Sequence, residues 1–174
     1  MQPAELEPVV ALWRRSRDEV QPWLEARMGH SREGDRRFFG EVILEQHEVW
    51  LAVEGDRAVG FMALSPGFVE HLYVDPPEQG RGVGGALLAF ALTRSPRELS
   101  LYTHQRNLRA RRFYERRGFR AVAFGVSPLP ECEPDVLYRW RPSDPSGERG
   151  DAPGQQELRA EVERQPPDGI DETG

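Results

Sequence analysis

Apolar residues near the start of the chain recur at the spacing of amphipathic helices. Between Leu6 and Met28 they lie three or four positions apart, and Pro22 interrupts the run, so we expect two helical pieces. A further helix is predicted from about Ser31 to Gln46, with Ser31 as its N-cap and apolar side chains along one side. The chain is therefore predicted to begin with a helical layer that buries one side.

After residue 48 the apolar period changes to two, which is typical of strands. A hairpin is predicted over 49–64 around the turn Glu54-Gly55-Asp56, followed by a strand from Gly67 to Val74. The remaining predicted elements are a helix from about Gly84 to Thr93, a strand Leu99 to Thr103, a helix Asn107 to Arg117, a strand Phe119 to Val126 and a strand Val136 to Trp140. This order predicts an α+β (mixed α/β) fold, with helices packed on a mixed sheet.

Composition divides the chain into two parts. Residues 142–174 are rich in Pro, Gly and acids and poor in aliphatics, so ordering them would bury too little apolar surface to offset the lost entropy. We expect one folded domain over 1–141 and a disordered acidic tail over 142–174. The tail holds 3 Arg and 9 acids, so it carries the whole net charge of −6. All 23 basic residues are Arg, which we interpret first as genome composition, with avoidance of chemical self-acetylation as the functional alternative.

The composition also disfavours several classes of function. No stretch reaches the roughly 18 consecutive apolar residues of a membrane span, and the first residues lack a signal-peptide pattern, so we expect a cytoplasmic protein without a membrane partner. Cys132 is the only cysteine and the 4 histidines lack ligand spacing, so we expect no disulfide and no metal, and Cys132 as an ordinary thiol. The neutral domain lacks a groove-reading motif, so nucleic acid is not an expected partner.

The most informative local feature is a glycine-rich loop from Gln79 to Gly85, between a strand and a helix. Glycines let the backbone turn tightly, and the amides of a helix N-terminus suit a pyrophosphate. Three interpretations stay open on these residues alone: a dinucleotide fingerprint, a P-loop, or a connection without a ligand. The next strand ends at Thr103-His104-Gln105 without the acid that a dinucleotide ribose needs, and the chain lacks the Lys of a P-loop.

Two blocks of sequence, Leu72–Leu88 and Asn107–Phe119, carry a recognisable pattern. In the first block, Gln79, Gly82 and Gly84 fill the core Gln/Arg-x-x-Gly-x-Gly/Ala. This block resembles the coenzyme A motif of the GNAT superfamily of N-acetyltransferases, and the second block resembles that family's next motif at the usual separation. Two motifs in the right order are far more specific than either alone.

The resemblance covers residues 9–140, weakly before residue 49, and it is closest to the small single-domain bacterial members. It implies a central mixed, mostly antiparallel sheet flanked by helices, and acetyl-CoA as a co-substrate without a metal. It also implies direct transfer of the acetyl group to a primary amine, without an acyl-enzyme. The acceptor is expected to be a small-molecule amine or a protein N-terminal amine, and the protein a monomer or a homodimer.

Helical geometry adds an argument that is independent of the family. At 100° per residue, Asn107, Ala110, Arg111 and Tyr114 lie on one face of the second helix, and Phe113 points elsewhere. Asn107 sits at an N-cap position, and the small Ala110 leaves room for a ligand chain. We expect this face to contact coenzyme A.

Basic side chains surround the same helix, which suits a ligand with three phosphates. Arg111 and Arg112 are expected to point toward the loop, whereas Arg116 and Arg117 suit a solvated face.

Together these arguments predict the cofactor-binding residues Leu72, Tyr73, Val74, Gln79, Gly80, Arg81, Gly82, Val83, Gly84, Gly85, Asn107, Ala110, Arg111 and Tyr114. By resemblance, the backbone of Leu72 to Val74 holds the pantetheine arm and polarises the thioester carbonyl. Tyr114 occupies the position that commonly protonates the departing thiolate in this family. The alternative for Tyr114 is core packing beside Phe113.

The general base is the most open assignment. Glu70 is the first candidate, with His104, His71 and a chain of waters as alternatives. Strand alternation puts Glu70, Leu72 and Val74 on one face, with His71 and Tyr73 on the other.

The acceptor pocket is expected to involve the N-terminal helices and the aromatic residues Trp13, Trp23, Phe38, Phe39 and Trp50, most of them as core. Two other classes of function remain: a non-catalytic acyl-CoA-binding module, which needs no acid or base, and a nicotinamide-dependent, dinucleotide-binding enzyme.

Overall fold

The computed structural model describes residues 3–142 of the chain, and side chains from residue 6 onward. The helices are α1 Pro3–Val20, α2 Pro22–Met28, α3 Arg32–Phe38, a π-helical segment Phe39–Ile43, α4 Leu44–Gln46, a 3₁₀ turn Pro76–Glu78, α5 Val83–Arg94 and α6 Leu108–Glu115. The strands are β1 Glu48–Glu54, β2 Arg57–Ser65, β3 Phe68–Val74, β4 Leu99–His104, β5 Arg120–Val126 and β6 Pro134–Trp140. The predicted elements are confirmed with small shifts at their ends. The predicted tail lies outside the described residues from residue 143 onward.

The N-terminal helices begin and end where the sequence predicts. Pro22 begins α2, so the long apolar run is split in two. The Ser31 hydroxyl accepts a hydrogen bond from the Gly34 amide at 3.0 Å and caps α3. The helix predicted over 31–46 differs in one respect, because Phe39–Ile43 is wound as a π-helix between α3 and α4. Phe39 and Ile43 are fully buried there.

The strands form a six-stranded sheet in the order β1-β2-β3-β4-β6-β5. Neighbouring strands are antiparallel except β3 and β4, which are parallel. The prediction of a mixed, mostly antiparallel sheet flanked by helices is therefore confirmed.

Two apolar clusters flank the sheet. One contains Leu87, Leu88 and Ala91 of α5 with Tyr114 of α6. The other contains Val9 and its neighbours in α1, the π-helical segment and side chains of β2. Both helical layers are therefore fastened to the strands by buried apolar side chains. No helix in residues 3–142 has the length and apolar character needed to cross a bilayer.

The pairing of β3 interrupts the predicted alternation. Val69 pairs with Leu64 and His71 with Ala63, so Glu70 is the extra residue of a β-bulge. As a result Val69 and Leu72, three positions apart, both pack against the cluster of α5. The predicted alternation is nevertheless confirmed from His71 to Val74, because Leu72 and Val74 lie on the α5 side whereas His71 and Tyr73 pack beside Trp13. The bulge interrupts the alternation only between Val69 and His71.

Candidate active site

The site is centred on a gap between the two parallel strands. Phe68 pairs with Ser100 and Val69 with Leu101, and within residues 3–142 the ladder between β3 and β4 goes no further. Beyond Val69 the strands separate, so backbone groups of β3 that would face β4 are left for another partner. The predicted residues Leu72, Tyr73 and Val74 form this separated part of β3.

The glycine-rich loop closes one end of the gap. Gly80 and Gly82 have φ of +83° and +94°, a backbone region that disfavours side chains. A Cβ at either position would have no atom of the described chain within 4 Å, so both face open space. The Gln79 side-chain amide donates to the Val74 carbonyl at 3.1 Å and ties the loop to the end of β3.

The loop leads directly into α5, whose N-cap is Gly82 without a side-chain cap. Val83, Gly84 and Gly85 are the first helical residues, and the amides of a first turn have no partner within their own helix. Gly84 leaves little room for a side chain, since a Cβ there would lie 3.4 Å from both Val74 and Phe113. Small residues therefore let β3, α5 and α6 approach one another beside an exposed anion site.

The Arg81 side chain is directed away from this anion site. Its guanidinium is paired with Glu78 and lies 3.6 Å from Glu54. Arg57 donates to Glu78 at 2.6 Å, and this hydrogen bond lowers the pKa of Glu78. A contact of Arg81 with a bound phosphate would therefore need its backbone amide, which here donates to the Glu78 carbonyl at 3.4 Å.

Helix α6 places the second predicted block on the same side of the sheet as α5. The Asn107 side chain accepts from the Ala110 amide at 3.0 Å, which confirms the predicted N-cap. Tyr114 is 7% exposed and packs against Phe113 and Phe119, with ring centroids 5.1 and 5.8 Å away. Core packing of Tyr114 beside Phe113 is thus confirmed.

Tyr114 also interacts electrostatically with Tyr73 of β3, which borders the gap. Burial raises the pKa of Tyr114, and the neighbouring Tyr73 raises it further, although Tyr73 packs in the cluster on the other side of the sheet. Two phenols that approach the sheet from opposite faces are therefore electrostatically coupled. Tyr114 is therefore protonated at neutral pH, which is the state that a general acid must start from.

The arginines of α6 differ from the prediction. Arg111 donates to the Tyr138 hydroxyl at 3.2 Å and to the Gln105 carbonyl at 3.3 Å, so its side chain is not directed toward the loop. Arg112 is exposed. Arg117 was predicted to be part of a solvated face, but its guanidinium packs against Gly85. A Cβ placed on Gly85 would lie only 2.9 Å from the Arg117 Nη2 atom.

Arg117 is the binding candidate that sequence reasoning missed. Its guanidinium stacks 3.8 Å over the Phe113 ring and donates to the Phe113 carbonyl at 3.1 Å. It therefore lies against the positive end of α5, an unfavourable place for a cation unless an anion is shared. The one feature of the sequence that could have indicated this position is the i+4 spacing of Phe113 and Arg117, which lets the two side chains contact each other.

Each candidate base has a distinct environment. Glu70 is exposed at the bulge. Burial lowers the pKa of His71 to about 4, and the charges of His47 and Arg17 add to that shift. The Nδ1 atom of His104 is buried without a hydrogen-bond partner among the described residues, and its Nε2 lies 3.9 Å from Glu131.

The predicted acceptor aromatics separate into three groups. Trp13 and Phe39 are core, with Trp13 6.4 Å from Tyr73, ring to ring. Trp23 and Phe38 border the same side and are more exposed. Trp50 does not belong to this side, because its ring packs 4.6 Å from Phe90 of α5.

Buried charges tie the N-terminal helices together beside Tyr73. Asp35 accepts from Arg14 and Arg17, each at 2.7 Å, and Arg17 also lies 3.2 Å from Glu25. The Arg17 guanidinium stacks 3.9 Å over Trp13. Burial raises the pKa of Tyr73, while the positive charge of Arg17 opposes that shift. The network therefore ties α1, α2 and α3 to one another beside Tyr73.

No group of metal-ligating side chains is assembled in the described part of the chain. Cys132 is exposed and free.

Comparison with known proteins gives a consistent result. The model of the acetyltransferase (GNAT) family matches residues 12–119. The peptidyl-lysine N-acetyltransferase YjaB of Escherichia coli K12 is 38% identical over 117 residues, which cover 67% of this chain and 76% of that protein.

Solved structures agree with the fold. The solution structure of apo-form YjaB from E. coli has a TM-score of 0.65 at 32% identity and covers 80% of this chain and 93% of its own. The PaiA N-acetyltransferase of Thermoplasma acidophilum, solved with coenzyme A, has a TM-score of 0.57 over 81% of this chain and 95% of its own. At 19% identity this second likeness concerns the fold alone.

Proposed function

The chain belongs to the acetyltransferase (GNAT) family, and on that premise we propose that it acetylates a primary amine, foremost the side-chain amine of a peptidyl lysine. As a member of this family it is an acyltransferase that uses acetyl-CoA. The lysine acceptor is supported by the name of its relative YjaB. A protein N-terminal amine or a small-molecule amine is the other acceptor class that the same chemistry allows.

The observation that carries the proposal is the gap after Val69, bordered by the Gly82 cap of α5 and by Tyr114. An extended pantetheine arm can replace the missing strand and bond the backbone groups of Leu72 to Val74 on the β4 side, apart from the Val74 carbonyl, which already accepts from Gln79 and Ser16. The pyrophosphate then meets the first turn of α5, where glycines leave its amides accessible. We add Arg117 to the residues proposed to bind the phosphates.

We propose Tyr114 as the general acid. The amine nitrogen attacks the thioester carbonyl carbon, a C–N bond forms, and the C–S bond breaks as the electron pair returns to sulfur. The thiolate takes the proton of the Tyr114 hydroxyl. Because Tyr114 is buried, few water molecules can compete with the thiolate for the phenol proton.

We propose Glu70 as the general base that takes the proton of the arriving ammonium and so frees the nitrogen lone pair for attack. The second proton, which nitrogen loses as the amide forms, returns to the Tyr114 phenolate, so one proton leaves through Glu70 in each turnover. The exposed position of Glu70 at the bulge suits proton transfer through a water rather than direct contact. His71 is less suited to pass this proton to solvent, because its ring packs beside those of Trp13, His47 and Tyr73.

Coenzyme A release across a panel of amines tests the proposal. The panel contains a lysine peptide with a blocked N-terminus, a peptide with a free N-terminus but no lysine, and small amines. Release with the lysine peptide is the expected result. Acetyl-CoA binding without release for any amine would favour a non-catalytic acyl-CoA-binding module, and tighter binding of a nicotinamide dinucleotide would favour the third class.

A further inference from the structure

The side of the gap that faces α1 and α2 is nearly balanced in charge, and here we call it the acceptor side. Three guanidiniums on it are paired with buried carboxylates: Arg14 and Arg17 with Asp35, Arg17 with Glu25, and Arg27 with Glu133. These ion pairs hold the helices in place, and each guanidinium that takes part in them is matched by a carboxylate. A fourth guanidinium, that of the exposed Arg106 after β4, lies instead 5.9 Å over the Trp23 ring of α2.

Glu131 is the exception among the acids near this side. Its one ion pair with a described residue is with an imidazole, that of His104, with Oε2 and Nε2 3.9 Å apart. The negative charge of Glu131 also contributes to the raised pKa of Tyr73, after burial as the main cause. The Glu131 carboxylate therefore lies within electrostatic reach of both strands that border the gap, Tyr73 on β3 and His104 on β4.

The position of Glu131 is fixed by its neighbours. It belongs to the connection between β5 and β6, where the Ser127 amide donates to the Glu133 carbonyl at 2.8 Å and the Glu133 amide donates to the Ser127 hydroxyl at 3.0 Å. Arg27 of α2 pairs with the Glu133 carboxylate at 2.8 Å and also contacts the Glu131 carbonyl. The loop is thus held at both ends while the Glu131 side chain keeps 39% exposure.

We infer that Glu131, positioned by His104, is the seat for the ammonium group of the acceptor at the mouth of the gap. The inference rests on the proposed function and defines its acceptor class: a cationic alkylamine that arrives protonated, as a lysine side chain does. A carboxylate that lacks a guanidinium partner can accept charge-assisted hydrogen bonds from an ammonium. Glu131 binds the acceptor, whereas Glu70 is proposed to receive its proton, so the two acids act on different kinetic constants.

Steady-state kinetics with acetyl-CoA and a lysine peptide with a blocked N-terminus test the inference. Glu131→Gln should raise KM for the peptide about tenfold and leave KM for acetyl-CoA within about twofold, since one charge-assisted hydrogen bond is lost. His104→Gln should raise the peptide KM by a smaller factor. Glu98→Gln is the matched control, because its carboxylate is also 39% exposed but pairs with Arg139 and Arg141 at the start of β4.

Salt supplies a readout that a purely structural role would not change. Attraction between two partly exposed charges is screened, so the peptide KM of the wild type should rise with NaCl and that of Glu131→Gln should rise much less. An unchanged peptide KM in Glu131→Gln, or equal salt dependence in both proteins, would overturn the inference while leaving the proposed function intact. If no amine of the panel causes the wild type to release coenzyme A, the proposed function is contradicted, and the inference with it.

Discussion

Val69 of β3 pairs with Leu101 of β4, and in the described chain this is the last pair between the two strands. The next residue, Glu70, is the bulge that interrupts the pairing of β3 with β2. A bulge bends its strand and increases the local twist, so it gives a local cause for the separation of β3 from β4. The gap that follows brings together backbone groups, the glycine-rich loop and two tyrosines that belong to different layers.

Removing one hydroxyl tests the general acid. Tyr114→Phe should lower kcat by at least about 100-fold, because proton donation to the leaving thiolate is lost. Coenzyme A binding, measured by calorimetry, should stay within about twofold, since the ring and its packing remain. Tyr138→Phe is the control: it removes another hydroxyl from the same cluster, one that bonds Arg111 and Glu115, and should cost about 1 kcal/mol of stability with little effect on kcat. Equal turnover in Tyr114→Phe and wild type would contradict the assignment.

The left-handed backbone at the helix start gives a second prediction. Gly82→Ala should cost about 1–2 kcal/mol in strain at its φ of +94°, and it should weaken coenzyme A binding by about tenfold as the loop shifts. Gly40→Ala should be neutral or slightly stabilising, because Gly40 lies in a helical segment with no atom of the described chain near its Cβ position. Thermal unfolding and calorimetric titration give the two quantities. Coenzyme A affinity that is the same in Gly82→Ala and Gly40→Ala would exclude this role for the loop.

The arginine beside the first turn of α5 gives a third prediction. Arg117→Gln should weaken coenzyme A binding by about tenfold and reduce its salt dependence, because a charge-assisted contact to phosphate is lost. Arg112→Gln, which changes an exposed residue of α6, should alter the affinity by less than about twofold. Titrations at two NaCl concentrations separate the variants. If Arg112→Gln weakens coenzyme A binding more than Arg117→Gln does, the assignment of Arg117 to the phosphate site is wrong.

The buried imidazole of β3 gives a prediction about pH. The pKa of His71 is lowered by burial to about 4, whereas an unfolded chain has the ordinary value of about 6.5. As pH falls from 6.5 to 4 the unfolded state takes up the proton first, so folding loses up to roughly 3 kcal/mol. His71→Asn should therefore show a flatter decline in unfolding free energy across this window, measured by urea unfolding. Parallel curves for variant and wild type would show that His71 does not titrate as proposed.

Much of this molecule could be predicted from local chemistry. Ser31 and Asn107 are predicted and observed N-caps, and Pro22 separates two helices, because these residues act through backbone groups within a few positions. Local patterns of the same kind also predict that the glycine-rich loop lies between β3 and α5 and that Tyr114 lies in α6. The mostly antiparallel character of the sheet was expected only from the family resemblance, and the strand order was not predicted, since strand pairing depends on distant residues.

The predictions that differed depended on tertiary contacts. The bulge at Glu70 has no local marker such as glycine, so strict alternation could not predict that Val69 and Leu72 lie on the same side of the sheet. Arg111 and Arg117 have similar exposure and sequence context, and only the positions of Tyr138 and Gly85 decide where each guanidinium goes. Glu131 was not predicted as a site residue, because the residue it contacts, His104 at the end of β4, is far from it in sequence.

The absence of lysine makes the central claim directly measurable. Because all 23 basic residues are Arg, any acetyl-lysine in the reaction must belong to the added substrate. The purified protein is incubated with acetyl-CoA and a peptide that has one lysine and a free N-terminus, and fragment mass spectrometry locates the acetyl group. We predict one acetyl group on the lysine side chain, absent without enzyme and strongly reduced with Tyr114→Phe. An unmodified peptide, or label on the N-terminal amine alone, would contradict the assignment of a peptidyl-lysine acceptor.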